Sequence, residues 1–308
     1  MSAAIPFVKT FDFEYGVAAR LSPRVRRVIA NNPGPFTYTG TGTYIVAAPG
    51  ADDAPAAVID PGPYDPAHLE AVARAAGAVS HILITHTHHD HSGGARAFAD
   101  MTGAPIYAFG AHPTAAAPHL QDHELEEGDD TSFRPDHLLT DGARVDGDGW
   151  TLAALHTPGH LANHLCFALD DEKALFTGDH VMGWATTVIV PPAGDMGDYF
   201  ASLDRLIARD DLIYYPTHGA PIAEPQRFAR AVRAHRRIRD GQILAALDDA
   251  PSAIPDLVAR LYAEVDKRLH GAAAMNVLAH LIRLETIGDV AASDRPFTMR
   301  TVFTRTPR

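Results

Sequence analysis

The chain is 308 residues long, 46% hydrophobic and 21% charged, which suits one large α/β domain or two ordinary ones and excludes a disordered or collagen-like polymer. Its apolar runs fall well short of the roughly eighteen residues that a membrane span needs. The net charge of −12 is unevenly divided: residues 1–229 hold 13 basic and 29 acidic side chains, a balance of −16, and residues 230–308 hold 13 and 9, a balance of +4.

The acidic main part repels a phosphate backbone at long range. The basic end reads first as a solvated Arg-rich helix face and second as a nucleic-acid contact. Met1 to Tyr15 mixes Lys9, Asp12 and Glu14 into its apolar residues without a signal-peptide core, and Cys166 is the single cysteine. These features predict a cytoplasmic protein with no internal disulfide and no membrane association.

In chain order, residues 36–60 predict a β-hairpin, with Phe36 to Thr39, Thr43 to Ala48 and Ala56 to Asp60 as strands and Gly40-Thr-Gly42 as the turn. Pro61-Gly62-Pro63 ends the last strand, and Pro66 to Ala76 has helical apolar spacing. Ser80 to Thr85 is a short β-branched run typical of a buried strand. Residues 94–102 read as helix, Pro105 to Phe109 as strand, and 110–136, rich in Glu, Asp and His, as a long surface loop. Strands return within 137–156, at 165–169 and at 173–177, before a helix near 197–209 and a strand at 212–215.

From Pro225 the texture changes. Gln226 to Leu247 predicts one long Arg-rich amphipathic helix, Asp248-Asp-Ala-Pro251 a linker, 255–268 and 271–287 two more helices, and Phe297 to Thr304 a small β-wing. The expected division is a main domain at 1–225, a connecting helix and linker at 226–250, and a winged-helix-like module at 251–308. That module is expected to cover one side of the site or to mediate homo-oligomer formation, with nucleic-acid contact as the alternative.

The 18 histidines stand out against 2 tryptophans, and five of them lie between His81 and His91. Thr85-His-Thr-His-His-Asp-His-Ser-Gly-Gly94 follows directly on the Ser80 to Thr85 strand. An extended segment sends alternate side chains to one side, so His86 and His88 converge, and a tighter turn aims Asp90 and His91 at a second point. Four such groups in six residues are costly to desolvate without a cation. Gly93 and Gly94 let the backbone turn close to such a cage. Three further candidates sit just past strands and beside glycine: His160 in His156-Thr-Pro-Gly-His160, Asp179 in Phe176-Thr-Gly-Asp179, and His218 in Pro216-Thr-His-Gly219.

Taken in this order, the motifs resemble the metallo-β-lactamase superfamily over roughly residues 36–220. The resemblance implies an α/β fold, a four-layer αβ/βα sandwich, holding one or two metals at one edge. It implies that His86, His88 and His160 hold one metal, that Asp90, His91 and His218 hold the second, and that Asp179 bridges both. Asp60 matches a carboxylate that orients a ligand histidine, and by itself also reads as a turn residue. Aspartate at 179, where the commonest zinc-dependent β-lactamases place cysteine, favours hydrolysis of thioesters, phosphodiesters or lactones over lactams. Gly178-Asp-His-Val-Met-Gly-Trp184, Gly194-Asp-Met196 and His235-Arg-Arg237 are similar to the lactamase-beta-like protein 2 branch, which carries a C-terminal winged-helix domain. Its animal member is an endoribonuclease, and fungal relatives release polyketides from carrier-protein thioesters.

The resemblance therefore implies a dinuclear hydrolase in which a metal-bridging hydroxide attacks, with Asp90 and Asp179 accepting protons or orienting it. Zinc is the expected metal for imidazoles plus carboxylate, with iron and manganese open. The expected substrate is a small or carrier-bound ester, thioester or lactone, and the alternative is single-stranded RNA. His180 and His164 are the candidates for delivering a proton to the leaving group.

Overall fold

The computed structural model describes residues 4–50, 54–113, 128–264 and 266–307. Among them, β1 (Ala19–Arg20), β2 (Val25–Ile29), β3 (Gly42–Val46), β4 (Ala56–Ile59), β5 (Val79–Leu83), β6 (Ile106–Ala108) and β7 (His137–Leu138) form one sheet in that spatial order. The second sheet runs β12-β11-β10-β9-β8, from β8 (Arg144–Gly147), β9 (Trp150–His156), β10 (Leu165–Leu169), β11 (Ala174–Gly178) and β12 (Ile213–Pro216).

Helices α1 (Pro66–Ala76) and α3 (Ala95–Thr102) cover the outer face of the first sheet, burying Leu69, Val72 and Phe98 against Val58, Ile82 and Ile84. The single-turn helix α2 is His89–Ser92. On the far side, α4 (Met196–Ile207) and the start of α5 (Pro225–Asp249) cover the second sheet through Tyr199, Leu203, Phe228 and Val232. The two inner faces meet in a core that includes Tyr44, Ile59, Leu83, Phe167, Phe176 and Tyr215. This is the expected four-layer αβ/βα sandwich. No described helix is long and apolar enough to cross a membrane.

The rings of Tyr44, Phe176 and Tyr215 lie 5.1–5.7 Å apart between the sheets. Tyr44 also donates its hydroxyl to Pro216 O at 2.6 Å, which ties the first sheet to the strand that leads to His218.

Two local expectations are corrected. Phe36 to Thr39 is not a strand: Gly34 and Tyr38 exchange backbone hydrogen bonds, and Tyr38 at φ 58° closes a loop. The strand beside β3 is β2, whose Val-Arg-Arg-Val-Ile order hides the period-two pattern because Arg27 is itself buried. Residues 114–127, the middle of the expected 110–136 loop, lie outside the described residues.

Beyond the sandwich, α6 (Ile254–Leu261), α7 (His270–Thr286) and a three-stranded sheet of β13 (Ser252–Ala253), β15 (Val302–Arg305) and β14 (Val290–Ala292) enclose a second core of Ile243, Leu247, Leu257, Leu278, Leu281 and Phe303. Helix α5 serves both cores, Phe228 and Val232 in one and Ile243 and Leu247 in the other. It runs on to Asp249, so the expected linker shrinks to Ala250-Pro251. The expected helix 255–268 stops at Leu261: Tyr262 leaves helical geometry (φ −125°, ψ 26°) while its N–H closes the last turn on Val258 O.

Replacing Phe176 by Ala leaves a cavity between the sheets. Urea unfolding should show a loss of about 3–5 kcal/mol, the usual cost of deleting a buried ring. A loss below about 1 kcal/mol would mean that the inter-sheet core does not carry the sandwich.

Candidate metal centre

The seven predicted donors gather just past the ends of β5, β9, β11 and β12, with Asp90 and His91 on the single-turn helix α2. β5 ends at Leu83, and the extended backbone at His88 (φ −86°, ψ 147°) continues the alternation that brings His86 and His88 to one side. Helix α2 then turns Asp90 and His91 inward. Gly94 permits this course, because a Cβ there would stand 2.8 Å from Pro63 O and 3.0 Å from Gly62 O. The loops after β9, β11 and β12 deliver His160, Asp179 and His218. Leu165 N donates to Thr85 O at 2.7 Å and joins the two sheets at this edge.

The inward atoms gather closely. His86 Nε2 is 2.9 Å from His88 Nδ1, which is 3.1 Å from His160 Nε2. His218 Nε2 lies 3.2 Å and His91 Nε2 3.3 Å from Asp90 Oδ2. Asp179 sits between the two groups, with Oδ1 3.5 Å from His91 Nε2 and Oδ2 3.4 Å from His218 Nε2 and 4.0 Å from His160 Nε2. Three triads, His86/His88/His160, His86/His91/Asp179 and Asp90/His91/His218, each have donor atoms within 4.8 Å of one another. Donors about 2.0–2.1 Å from a tetrahedral zinc stand about 3.3 Å apart, so these spacings fit bound cations.

The outward nitrogens explain why the inward ones are free. Thr85 Oγ1 donates to Asp60 Oδ2 at 2.7 Å, so its oxygen accepts from His86 Nδ1 at 3.0 Å. His91 Nδ1 donates to Asp60 Oδ2 at 2.8 Å, His160 Nδ1 to Val188 O at 2.7 Å, and His218 Nδ1 to Gly40 O at 3.2 Å. His88 Nε2 faces Asp129 Oδ1 at 3.5 Å. Each ring thus turns one nitrogen outward to a polar partner and the other inward, the orientation a ligand needs. Asp90 Oδ1, Asp179 Oδ1, His91 Nε2 and His218 Nε2 are buried without hydrogen-bond partners. Four such orphans in one place make this a candidate cation site.

Asp60 lies where expected and does more than touch one ring, since it also accepts from Thr85 N at 2.8 Å. Its φ of 50° is a strained conformation for a side-chain-bearing residue. Asp129 was hidden in the acidic stretch read as a surface loop. Asp130 N donates to Thr87 O and His89 N to Gly128 O, which stitch that stretch to the histidine loop. Its only sequence signal is acidity, shared with its neighbours.

Burial alone would depress His91 and His218, but the carboxylates of Asp90 and Asp179 outweigh it and hold both rings well above their usual range. The same ion pairs overcome the burial of Asp90 and Asp179 and keep both carboxyls well below theirs. His86 is pushed well down by burial and by the neighbouring rings of His91, His88 and His160. His160 falls to about 4, through burial and then His88.

His164 and His180 lie behind Asp179. His164 Nδ1 is 2.9 Å from Thr157 Oγ1, and its Nε2 accepts from Asp179 N at 3.3 Å. His180 is fully buried with its ring 4.6 Å from that of Tyr199, and burial lowers it to about 3. Burial followed by the charges of His180 and His160 lowers His164 well below its usual value. Beside Asp90 an open cavity of about 550 Å³ is lined by Asn32, Thr37, Tyr64 and His89.

The family model of the metallo-beta-lactamase superfamily matches residues 40–218, and that of the beta-lactamase associated winged helix domain matches residues 253–297. An atrochrysone carboxyl ACP thioesterase of Claviceps purpurea is 34% identical over 255 residues, 80% of this chain and 74% of its own. The lactamase-like protein vrtG of Penicillium aethiopicum is 31% identical over 293 residues, 87% of each chain. The crystal structure of a beta-lactamase domain protein from Burkholderia ambifaria has a TM-score of 0.77 at 21% identity, covering 94% of both chains. That last likeness is one of fold.

Because the carboxylates of Asp90 and Asp179 hold His91 and His218 well above their usual range, a cation would compete with protons for these two rings. Metal binding near pH 7 should therefore release protons and tighten as pH rises. Calorimetric titration of chelator-stripped protein in buffers of different ionisation enthalpy measures this, and an enthalpy independent of buffer would contradict it.

Proposed function

This chain belongs to the metallo-β-lactamase superfamily, and we propose that it is a dinuclear, zinc-dependent thioesterase acting on an acyl group held by a carrier. The observation that carries the reading is the convergence of five imidazole lone pairs and two carboxylates, four of whose atoms are buried without partners. His86, His88 and His160 would hold one cation, Asp90, His91 and His218 the other, with Asp179 reaching both. Two bound divalent ions would supply Lewis acidity and a water acidified to near pH 7 as nucleophile.

The rest falls to the chain. Asp90 accepts from Thr41 Oγ1 at 2.9 Å through Oδ2, which leaves Oδ1 free to orient a water or accept its proton. Asp60 orients His91 through a hydrogen bond and Asp129 faces His88 at 3.5 Å, which supports a donor set arranged before any substrate arrives. The cavity that reaches Asp90 would be the entry for a bulky acyl group.

Two observations favour a thioester. His164 and His180 are fully buried behind Asp179, with burial lowering both rings and His164 Nε2 occupied by Asp179 N, which supports a leaving group that needs no donated proton; we assign the two rings to packing and to holding Asp179 N. A thiolate, whose conjugate acid has a pKa near 8.5, leaves without a donated proton, whereas an alkoxide does not. The curated relative named above as an acyl-carrier-protein thioesterase supports the same substrate class. Cys166 is buried, and burial raises its thiol to about 12, so it is an inert packing residue compatible with a reducing cytoplasm.

Purified protein, with bound metal counted, should hydrolyse an acyl-pantetheine thioester faster than a lactone, a nitrocefin-type lactam or single-stranded RNA. Asp179→Ala and His160→Ala should each lower turnover about 100- to 1000-fold or more and reduce bound metal. Cleavage of RNA alone, falling steeply with salt, would move the assignment to a ribonuclease. Full turnover by a metal-depleted Asp179→Ala protein would reject the metal-dependent reading altogether.

A further inference from the structure

His160 and Asp179 depend on a segment that has no sheet or helix to hold it. Residues 186–190, between β11 and α4, have no regular secondary structure. Yet Val188 O fixes the His160 ring at 2.7 Å, and Thr187 Oγ1 donates to the main-chain oxygen of Asp179. A segment without a ladder keeps one course only where other groups satisfy its backbone.

Those groups come from the C-terminal helices. Arg236, buried on α5, donates to Thr187 O and, at 3.2 Å, to Asn276 Oδ1 on α7. Asn276 Oδ1 also accepts from Ile189 N at 3.4 Å, and its amide is oriented by Nδ2 donating to Ala272 O at 3.3 Å. The Arg236 guanidinium lies 5.5 Å from the ring centre of Tyr199, whose hydroxyl donates to His180 O at 2.9 Å, next to Asp179. The circuit therefore begins and ends at the candidate metal centre.

Burying a guanidinium costs several kcal/mol before its partners are counted. These partners are a carbonyl, an amide oxygen and an aromatic face, all neutral. Packing alone would be served as well by Leu or Met. What only a planar fork offers is two rigid donors pointing to two different elements at once.

We infer that Arg236 and Asn276 are positioning residues for His160 and Asp179: the C-terminal helices clamp residues 187–189, and that segment sets the His160 ring and the Asp179 backbone. The inference rests on the metal-centre reading above and adds that the C-terminal helices are part of the centre's framework.

The test uses the full chain. Amide hydrogen exchange of residues 186–190 is followed in metal-free protein, and zinc loss to a chelator is followed in zinc-loaded protein. Arg236→Gln, which removes the charge and the fork, should speed both about tenfold, the lower end for a group that supports a ligand, while exchange in β10 and β11 stays unchanged. Arg236→Lys, with one point donor, should recover part of the loss. With an acyl thioester, kcat should fall and KM stay put. Either rate remaining within about twofold of the wild type overturns the inference. Should Arg236→Gln fail to fold by circular dichroism, Asn276→Ala, at a half-buried site, is judged on the same two rates. Wild-type protein that takes up no zinc would overturn the metal-centre reading instead, and exchange in the metal-free variants would still decide the clamp.

Discussion

Four imidazoles hydrogen-bond outward and a fifth, His88, faces Asp129 at 3.5 Å, and the nitrogens left over point into a space already holding two carboxylates. The same carboxylates hold His91 and His218 well above their usual range. Much of the architecture at this edge serves to keep those acceptors still. Asp60 takes a left-handed backbone to receive Thr85 and His91 together, and Gly94 lets the histidine loop pass against Gly62 and Pro63.

Neither half of the sandwich carries a complete set. The first supplies His86, His88, Asp90 and His91, and the second supplies His160, Asp179 and His218. Contacts such as His88 to His160 at 3.1 Å and Asp90 to His218 at 3.2 Å cross the divide. The inter-sheet core is therefore a spacer as well as a source of stability. Interiors pack densely enough that a lost ring between Tyr44 and Tyr215 is felt at the edge. The bond from Tyr44 to Pro216 makes that path short.

The C-terminal part enters in the same way. Its net +4 charge drew attention to nucleic acid, but the one fully buried arginine of α5 is directed inward at the 187–189 segment. Basic residues on a helix are a mixed population, and composition cannot separate a solvated face from a buried fork.

The sequence by itself determined the donor-rich segment at 85–94 and the succession of strands and helices, while the layer order and the remaining donors came with the family resemblance. Imidazole and carboxylate at one-residue and two-residue spacing past a strand are legible because so few functions tolerate them together. Long apolar periodicities such as Pro66–Ala76, Met196–Ile207 and Pro225–Asp249 were legible for the reason that a helix buries one face. Tertiary structure alone decided what holds the donors. Val188 and Gly40 contribute through main-chain oxygens, which no side-chain letter reports. Asp129 looked like its acidic neighbours, β2 was masked by a buried arginine, and Arg236 looked like part of a surface stripe. Each depends on which segments meet in space, and that is a property of packing rather than of local pattern.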